Sequence, residues 1–225
     1  LDAVMNYPLR SAIIEYVMHG NVQLIAGVTN ALYKHYPKHK SAYMMNVLGT
    51  HDTERIITVL GGETADGYTN DQLSVKRMDA LQHSVAFHRL KNAVLLQMTL
   101  PGIPCVYYGD EAGMEGYRDP FNRCTYPWGR ENKKVLDWYK TLTAYRKAEP
   151  ALSSQSFKVC AARKGLFAFS RGDDSESLII YTNTGDTAEQ LKLKGAYTSL
   201  LTGEIYRGVV RTLPGSGDIL KPTQL

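Results

Sequence analysis

Residues 42–55 read AYMMNVLGTHDTER, and a second stretch, residues 101–111, reads PGIPCVYYGDE. Each contains a short run that is apolar on both faces, and each ends in a cluster of polar residues. Such runs are typical of strands buried in a parallel sheet. The clusters Thr50-His51-Asp52 and Asp110-Glu111 therefore follow the carboxyl ends of two predicted strands, where parallel α/β proteins bind their ligands.

Helical periodicity surrounds these two strands. Apolar residues recur at intervals of three and four in the segments 8–18, 24–32, 78–97 and 135–145, which predicts four helices. Pro8 suits the first turn of the first helix, and Asn21 is a candidate N-cap for the second. With a further candidate strand at 3–5, the alternation of strands and helices predicts a parallel α/β sheet or barrel over residues 1–151.

Two other regions have different patterns. GTHDTER (49–55) and GGETADGYTND (61–71) are expected in one polar loop, because glycine and asparagine interrupt regular structure. Residues 152–225 contain short strand-like runs, such as FKVCAA and SLIIYTN, separated by Gly, Asp and Asn. This pattern predicts an antiparallel β-sandwich or barrel, of which we expect the sandwich, as a second domain that packs against the first.

Composition excludes several classes of function. The 225 residues contain 26 Lys and Arg against 22 Asp and Glu, a net charge of +4 that gives no reason to expect nucleic acid or an anionic membrane as a partner. No apolar run approaches the roughly 18 residues of a membrane helix. The three cysteines, Cys105, Cys124 and Cys160, lack metal-type spacing and are expected to be free thiols in a reducing, cytoplasmic compartment.

The residues after the two strands indicate recognition of a neutral sugar. His51, Asp52, Asp119 and Arg123, with Glu111, Glu115 and Arg118, are expected at one end of the sheet with aromatic residues around them: Tyr7, Tyr107, Tyr108, Tyr117 and Trp128. Carboxylates accept hydrogen bonds from hydroxyl groups, and aromatic rings stack on sugar faces. No P-loop, GxGxxG, GxSxG or HExxH pattern occurs, so we expect no cofactor and no metal.

Simpler interpretations remain open at this stage. Asp52 could be only a helix N-cap, and Asp110-Glu111 could be a cap or an ion pair with an arginine. Asp119 and Arg123 could form a surface pair, and the loop aromatics could serve packing.

The motifs MNVLGTHDTER (45–55) and PGIPCVYYGDE (101–111) resemble the α-amylase superfamily of glycoside hydrolases, and within it the neopullulanase and cyclomaltodextrinase branch. GMEGYRDPFNRCTYPW (113–128) is similar to a loop of that branch, and DAVMNYP (2–8) to its strand-six region. The resemblance implies the C-terminal part of a (β/α)₈ TIM barrel, strands six to eight, followed by the family's antiparallel β domain. It also implies hydrolysis of α-glucosidic bonds in maltodextrins, cyclodextrins or pullulan.

The resemblance assigns roles residue by residue. Asp52 matches the carboxylate that stabilises the transition state, and His51 matches the histidine that binds the same sugar ring. Asp119 and Arg123 match a substrate-contacting loop pair, whereas Glu111 matches a structural position. Retaining hydrolysis also needs a nucleophile and a general acid about 5–5.5 Å apart. In the family both come from strands four and five, and no residue here matches either motif.

We therefore expect the chain to be one portion of a longer enzyme and inactive alone. Its partners are expected to be an α-glucan oligosaccharide or cyclodextrin, and either a second copy or the N-terminal half, because a partial barrel leaves strand edges unpaired. Two alternatives remain: a non-catalytic glucan-binding or interaction module, and a transglycosylase of the same family.

Overall fold

The computed structural model describes residues 3–173 and 177–223, so Asp2 of the DAVMNYP motif and the outer ends of both predicted domains lie outside the described residues. The four predicted helices are confirmed, and Asn21 caps the second by accepting the Leu24 N–H at 3.1 Å. The helices are α1 (Tyr7–His19), α2 (Val22–His35), α3 (Lys38–Ser41), α4 (Ile56–Leu60), α5 (Asn70–Val75), α6 (Ala80–Thr99), α7 (Lys133–Ala148) and α8 (Pro150–Ser153). Among these residues, no helix combines the length and apolar character needed to cross a membrane.

The two predicted strands are parallel neighbours, as expected. β1 (Met45–Val47) pairs with β2 (Ile103–Cys105), and Met45 lies opposite Ile103. The candidate strand at 3–5 contributes one parallel bridge, from Met5 to Met45. Both strands are shorter than their apolar runs. The turn that follows α3 takes up the first two residues of the first run, and at the end of the second run the chain turns at Tyr107, whose carbonyl accepts the Asp110 N–H at 3.1 Å.

The stretch between β1 and α6 is more ordered than its sequence indicates. The expected single polar loop is wrong, because α4 interrupts it and α5 begins within its last residues. Ile56, Ile57 and Leu60 of α4 are buried in the main core, which stabilises a helix too short to show periodicity. A capping box starts α5, in which Thr69 and Gln72 satisfy each other's main-chain N–H groups.

The last third of the chain is an antiparallel sheet of six strands. These are β3 (Phe157–Arg163), β4 (Leu166–Arg171), β5 (Leu178–Asn183), β6 (Glu189–Ser199), β7 (Ile205–Thr212) and β8 (Gly217–Pro222), in the order β3-β4-β5-β8-β6-β7. The predicted strands are confirmed, but within the described residues they form one continuous sheet rather than the two sheets of a sandwich. Continuity arises because Leu220 of β8 pairs with both Ile179 and Ser199.

Apolar side chains are buried on both faces of this sheet. Phe167, Phe169 and Ile180 lie in the main core with residues of α1, α2 and α6. Ala168 and Leu191 belong to a second cluster on the other face, which includes residues from all six strands. The register of β6 shifts between Lys192 and Ala196, where the sheet departs from regular pairing.

The sheet and the helical part share one core. The Tyr16 hydroxyl of α1 is fully buried and lies 2.7 Å from the Gly165 carbonyl oxygen and 2.8 Å from that of Thr182. Arg171 of β4 is also buried and donates to the carbonyl of Leu152 at 2.7 Å. The expectation that the two parts pack together is therefore confirmed.

Candidate functional site

A tight turn after β1 presents His51 and Asp52 to solvent. The Thr50 N–H donates to the Thr53 hydroxyl at 3.0 Å, and the Asp52 N–H donates to the Thr50 hydroxyl at 3.2 Å. With its backbone held in this way, the turn leaves the His51 and Asp52 side chains 58% and 60% exposed. These two groups are therefore accessible to a ligand.

All four residues predicted to form the site meet at this turn. His51 Nε2 lies 3.2 Å from Asp52 Oδ1, and Arg123 Nη2 lies 4.0 Å from the same oxygen. Arg123 Nε also lies 2.9 Å from Asp119 Oδ1. We call His51, Asp52, Asp119 and Arg123 the four-residue cluster; it combines two carboxylates, one imidazole and one guanidinium on an accessible surface.

The interpretation of Asp52 as a helix cap is wrong. The next helix, α4, begins at Ile56, and the residue that precedes it, Arg55, makes no side-chain cap. The carboxylate of Asp52 instead faces His51 and Arg123. Asp119 and Arg123 are likewise more than an isolated surface pair, since Arg123 Nε also donates to the His51 carbonyl at 3.2 Å.

Asn122 joins the two loops, although nothing in the sequence marked it as a site residue. Its side chain is fully buried and donates from Nδ2 to the carbonyls of His51 and Thr53, both at 2.8 Å. Asn122 follows Pro120 and Phe121 in a 3₁₀ turn, Phe121–Arg123. Its neighbour Arg123 is thereby fixed against the turn that carries Asp52.

A buried ion pair joins the segment that follows Asp52 to the loop after β2. Arg55 Nη1 lies 3.2 Å from Asp110 Oδ1, and both side chains are almost inaccessible. Arg55 also donates to the Tyr108 carbonyl, and its guanidinium carbon lies 4.3 Å and 4.7 Å from the ring centroids of Tyr107 and Tyr108. Of the interpretations left open for Asp110, the ion pair with an arginine is confirmed.

Burial dominates the acidity of Asp110. It raises the pKa of this carboxyl from 3.8 to about 7, against the opposing effect of the Arg55 charge. The carboxyl also fills the space beside Gly49, where an added Cβ would lie 2.1 Å from Asp110 Oδ2. Gly49 is therefore needed for the close approach of the two loops that carry the cluster.

Other residues expected at the site lie elsewhere. Glu115 accepts the Met78 N–H at 2.8 Å and pairs with His83 at 2.9 Å, so it holds the start of α6. Arg118 donates to the carbonyls of Ala65 and Tyr68, at 3.0 Å and 2.9 Å. Both side chains therefore organise the segment before α6.

The aromatic residues divide into three groups. Tyr117 is buried in a small apolar cluster and serves packing. Tyr107 and Tyr108 enclose the Arg55 guanidinium, and the Tyr7 hydroxyl lies 3.3 Å from the Thr50 hydroxyl. Trp128, by contrast, is 81% exposed. Within the described ranges, no group of three or more His, Cys, Asp or Glu side chains is arranged to hold a metal ion.

Chemically, the cluster is suited to bind and polarise a hydroxylated ligand. Asp52 and Asp119 accept hydrogen bonds, whereas Arg123 donates them, and a neutral imidazole offers one of each. A fixed carboxylate also stabilises positive charge that develops in a transition state beside it.

The sequence of this chain matches a family model and several known proteins. The model described as "Alpha amylase, catalytic domain" matches residues 1–127. The amylopullulanase of Thermoanaerobacter thermohydrosulfuricus is 33% identical, and the match covers 91% of this chain and 15% of that protein. The cyclomaltodextrinase of Thermoanaerobacter pseudethanolicus is 30% identical, with coverage of 98% and 36%. The chain thus spans between 15% and 36% of the length of these two relatives.

Solved structures agree with this result. The type III pullulan hydrolase from Thermococcus kodakarensis superposes with a TM-score of 0.82 at 28% identity, over 98% of this chain and 36% of that one. These matches, together with relatives named cyclomaltodextrinase and neopullulanase, confirm the resemblance predicted from the two motifs.

Proposed function

Because this chain belongs to the α-amylase family, we propose that it supplies one side of the active site of an enzyme that hydrolyses α-glucosidic bonds. One observation carries the proposal: the exposed Asp52 carboxylate lies 3.2 Å from His51 and 4.0 Å from Arg123. Relatives are named amylopullulanase and cyclomaltodextrinase, which favours maltodextrins, cyclodextrins or pullulan as substrates.

Each member of the cluster has a distinct role in this proposal. Asp52 accepts hydrogen bonds from the sugar ring and stabilises the oxocarbenium-like transition state with its negative charge. His51 binds the same ring. Arg123 and Asp119 hold a neighbouring part of the glucan, and the Asp119 carboxylate fixes the direction of the guanidinium at 2.9 Å.

We also propose where the site lies in the barrel of the family. β1 and β2 correspond to strands seven and eight of a (β/α)₈ barrel, and the bridge at Met5 corresponds to strand six. Residues 1–151 form the barrel portion and residues 152–225 the β domain. The cluster then lies at the carboxyl ends of the strands, where barrel enzymes perform their chemistry.

The remaining catalytic groups come from another polypeptide segment. Retaining hydrolysis needs a nucleophile and an acid, and Asp52 has neither role in this proposal. β2 and the residue that follows it offer an exposed apolar surface for that segment, since Ile103 and Val106 are 44% and 38% exposed. A cavity of about 550 Å³ next to it is lined by Val106, Leu136 and Tyr139, among others. Pairing with an N-terminal half, or with a second copy, would cover these groups.

We further propose a cellular compartment for the protein. Cys105, Cys124 and Cys160 are free thiols, as expected, which favours a reducing, cytoplasmic compartment.

Calorimetric titration of the 225-residue chain with maltoheptaose tests this function. Asp52→Asn and Arg123→Ala should strongly weaken the saturable binding, whereas Asp186→Asn, an exposed change of the same charge in the β5–β6 loop, should not. A reducing-sugar assay on the same samples should show no hydrolysis. Absence of binding by the wild-type chain would contradict the proposal, and hydrolysis by it would contradict the assignment of the nucleophile and acid to another segment.

A further inference from the structure

Trp128 is the most exposed of the large apolar side chains in the described ranges, at 81%. It lies in the loop between β2 and α7 that also carries Asp119 and Arg123. Exposing an indole to water is unfavourable, because a buried tryptophan removes about 150–250 Å² of largely apolar area from solvent. The four-residue cluster does not use this side chain.

The loop holds the indole in a defined position. The Tyr126 ring packs against it with centroids 4.5 Å apart and planes inclined by 50°. The Arg130 N–H donates to the Pro127 carbonyl at 2.8 Å, and Gly129 has a positive φ of 75° that suits this turn. The Glu131 carboxylate accepts the Gly129 N–H at 3.1 Å. The Trp128 ring is therefore presented by an ordered turn, with little conformational freedom left to lose on binding.

The indole is also close to the cluster. Four residues lie between Arg123 and Trp128, so the two Cα atoms are at most about 18 Å apart. The chain between them is anchored at Cys124, whose carbonyl accepts the Tyr108 hydroxyl hydrogen bond at 2.8 Å. A glucan of several sugar rings, bound at the cluster, is long enough to span this distance and reach Trp128.

The surroundings of Trp128 favour a sugar over a protein surface. Arg130, Lys133 and Lys134 follow it closely in the sequence and are exposed, whereas the centre of a protein interface is depleted of charged residues. A single indole also provides far less than the roughly 800 Å² that each partner contributes to a stable interface. An exposed flat aromatic ring, followed in the sequence by long side chains that donate hydrogen bonds, suits instead the apolar face and the hydroxyl groups of a glucose unit.

We propose that Trp128, supported by Tyr126, forms a second binding position for α-glucan, where a glucose ring stacks on the indole. This position rests on the proposed function for the identity of its ligand, and it extends the site beyond the cluster. It holds a remote part of a long glucan and makes no contact with the bond that is cleaved.

Tryptophan fluorescence tests this position directly, because the chain has only two tryptophans. Trp138 is half-buried, donates to the Lys91 carbonyl at 3.1 Å and serves as an internal reference. Titration of the 225-residue chain with maltoheptaose should change the emission of Trp128 and protect it from acrylamide quenching. Trp128→Ala should abolish this signal and weaken maltoheptaose binding about tenfold in calorimetry, with an unchanged melting temperature. Cellohexaose is the control ligand.

The outcomes separate this position from the cluster. Asp52→Asn should weaken binding at the cluster and keep the fluorescence change of Trp128, which should then require higher maltoheptaose concentrations. A chain whose cluster binds no glucan would therefore still give the Trp128 signal, so failure of the proposed function and failure of the second position give different results. Three results of the sugar titrations would overturn the second position: no change in the wild-type emission, a change that persists in Trp128→Ala, or an equal response to cellohexaose. Emission that depends on protein concentration without any sugar would overturn it in favour of a second copy of the chain.

Discussion

Asn122 donates its buried side-chain amide to the main-chain carbonyl of His51 at 2.8 Å, and this bond joins the loop after β2 to the turn after β1. A second bond from the same nitrogen reaches Thr53 at 2.8 Å. The Asn122 side chain donates to main-chain carbonyls and to none of the side chains proposed to bind sugar. Its position nevertheless determines where Arg123 lies relative to Asp52.

Replacing Asn122 by alanine should therefore affect both stability and binding. Two carbonyls lose a donor, which should lower the free energy of unfolding by about 1–3 kcal/mol in urea denaturation. The affinity for maltoheptaose should fall as well, because Arg123 is no longer fixed. Asn30→Ala in α2 removes the same amide outside the site. It should leave the affinity unchanged and should not lower the free energy of unfolding, because alanine favours a helix more than asparagine does. A stable Asn122→Ala protein with normal affinity would show that the two loops do not depend on this amide.

Gly49 should not tolerate a side chain. Its Cβ would lie 2.1 Å from Asp110 Oδ2, inside a buried ion pair with no room to relax. We expect Gly49→Ala to lower the free energy of unfolding by about 1–3 kcal/mol. Gly27→Ala is the matched control, because nothing lies within 4 Å of that position and α2 should gain about 0.5–1 kcal/mol. Equal effects of the two substitutions would contradict the packing described around Asp110.

Asp110 should make stability depend on pH. Its pKa is raised to about 7 in the folded protein, so between about pH 4 and pH 7 the folded chain holds a proton that the unfolded chain has released. The free energy of unfolding should then fall as pH rises through this window, by at most about 1.4 kcal/mol per pH unit, and level off above it. Urea denaturation between pH 4.5 and pH 8 should show a flatter profile for Asp110→Asn than for the wild type. Identical slopes would mean that this carboxyl is not protonated in the folded state.

Much of this arrangement could be predicted from the sequence. The parallel pair β1 and β2 followed from two short apolar runs, and the four-residue cluster followed from motifs that resemble a known family. The predicted site residues could be found in these motifs because they follow the ends of the strands at short distances along the sequence.

The rest depends on contacts between distant segments. Burial of Asn122 and Arg55 could not be predicted, because polar side chains carry no local signal of being enclosed. The single sheet in place of a sandwich depends on Leu220 of β8, which pairs with two strands that are far apart in sequence. The short helix α4 could not be predicted either. Its intrinsic helix propensity is weak because it is short, and burial of Ile56 in the core stabilises it.

In an intact enzyme that contains this chain, Asp52→Asn should reduce kcat by about 100-fold or more, because its charge acts most strongly in the transition state. The side chain is 60% exposed, so the melting temperature should change little. Steady-state kinetics on a maltodextrin separate the effects on kcat and KM. A loss confined to KM would mean that Asp52 binds only the ground-state sugar.

The most direct test of the central claim is an NMR titration that observes the histidine ring resonances of the 225-residue chain during addition of maltoheptaose. The chain has six histidines, and His51→Gln identifies the resonance of interest. We predict a saturable shift of the His51 ring that disappears in Asp52→Asn and Arg123→Ala, while the other five rings remain unchanged. An unperturbed His51 ring in the presence of bound maltoheptaose would contradict the claim that the four-residue cluster holds the glucan.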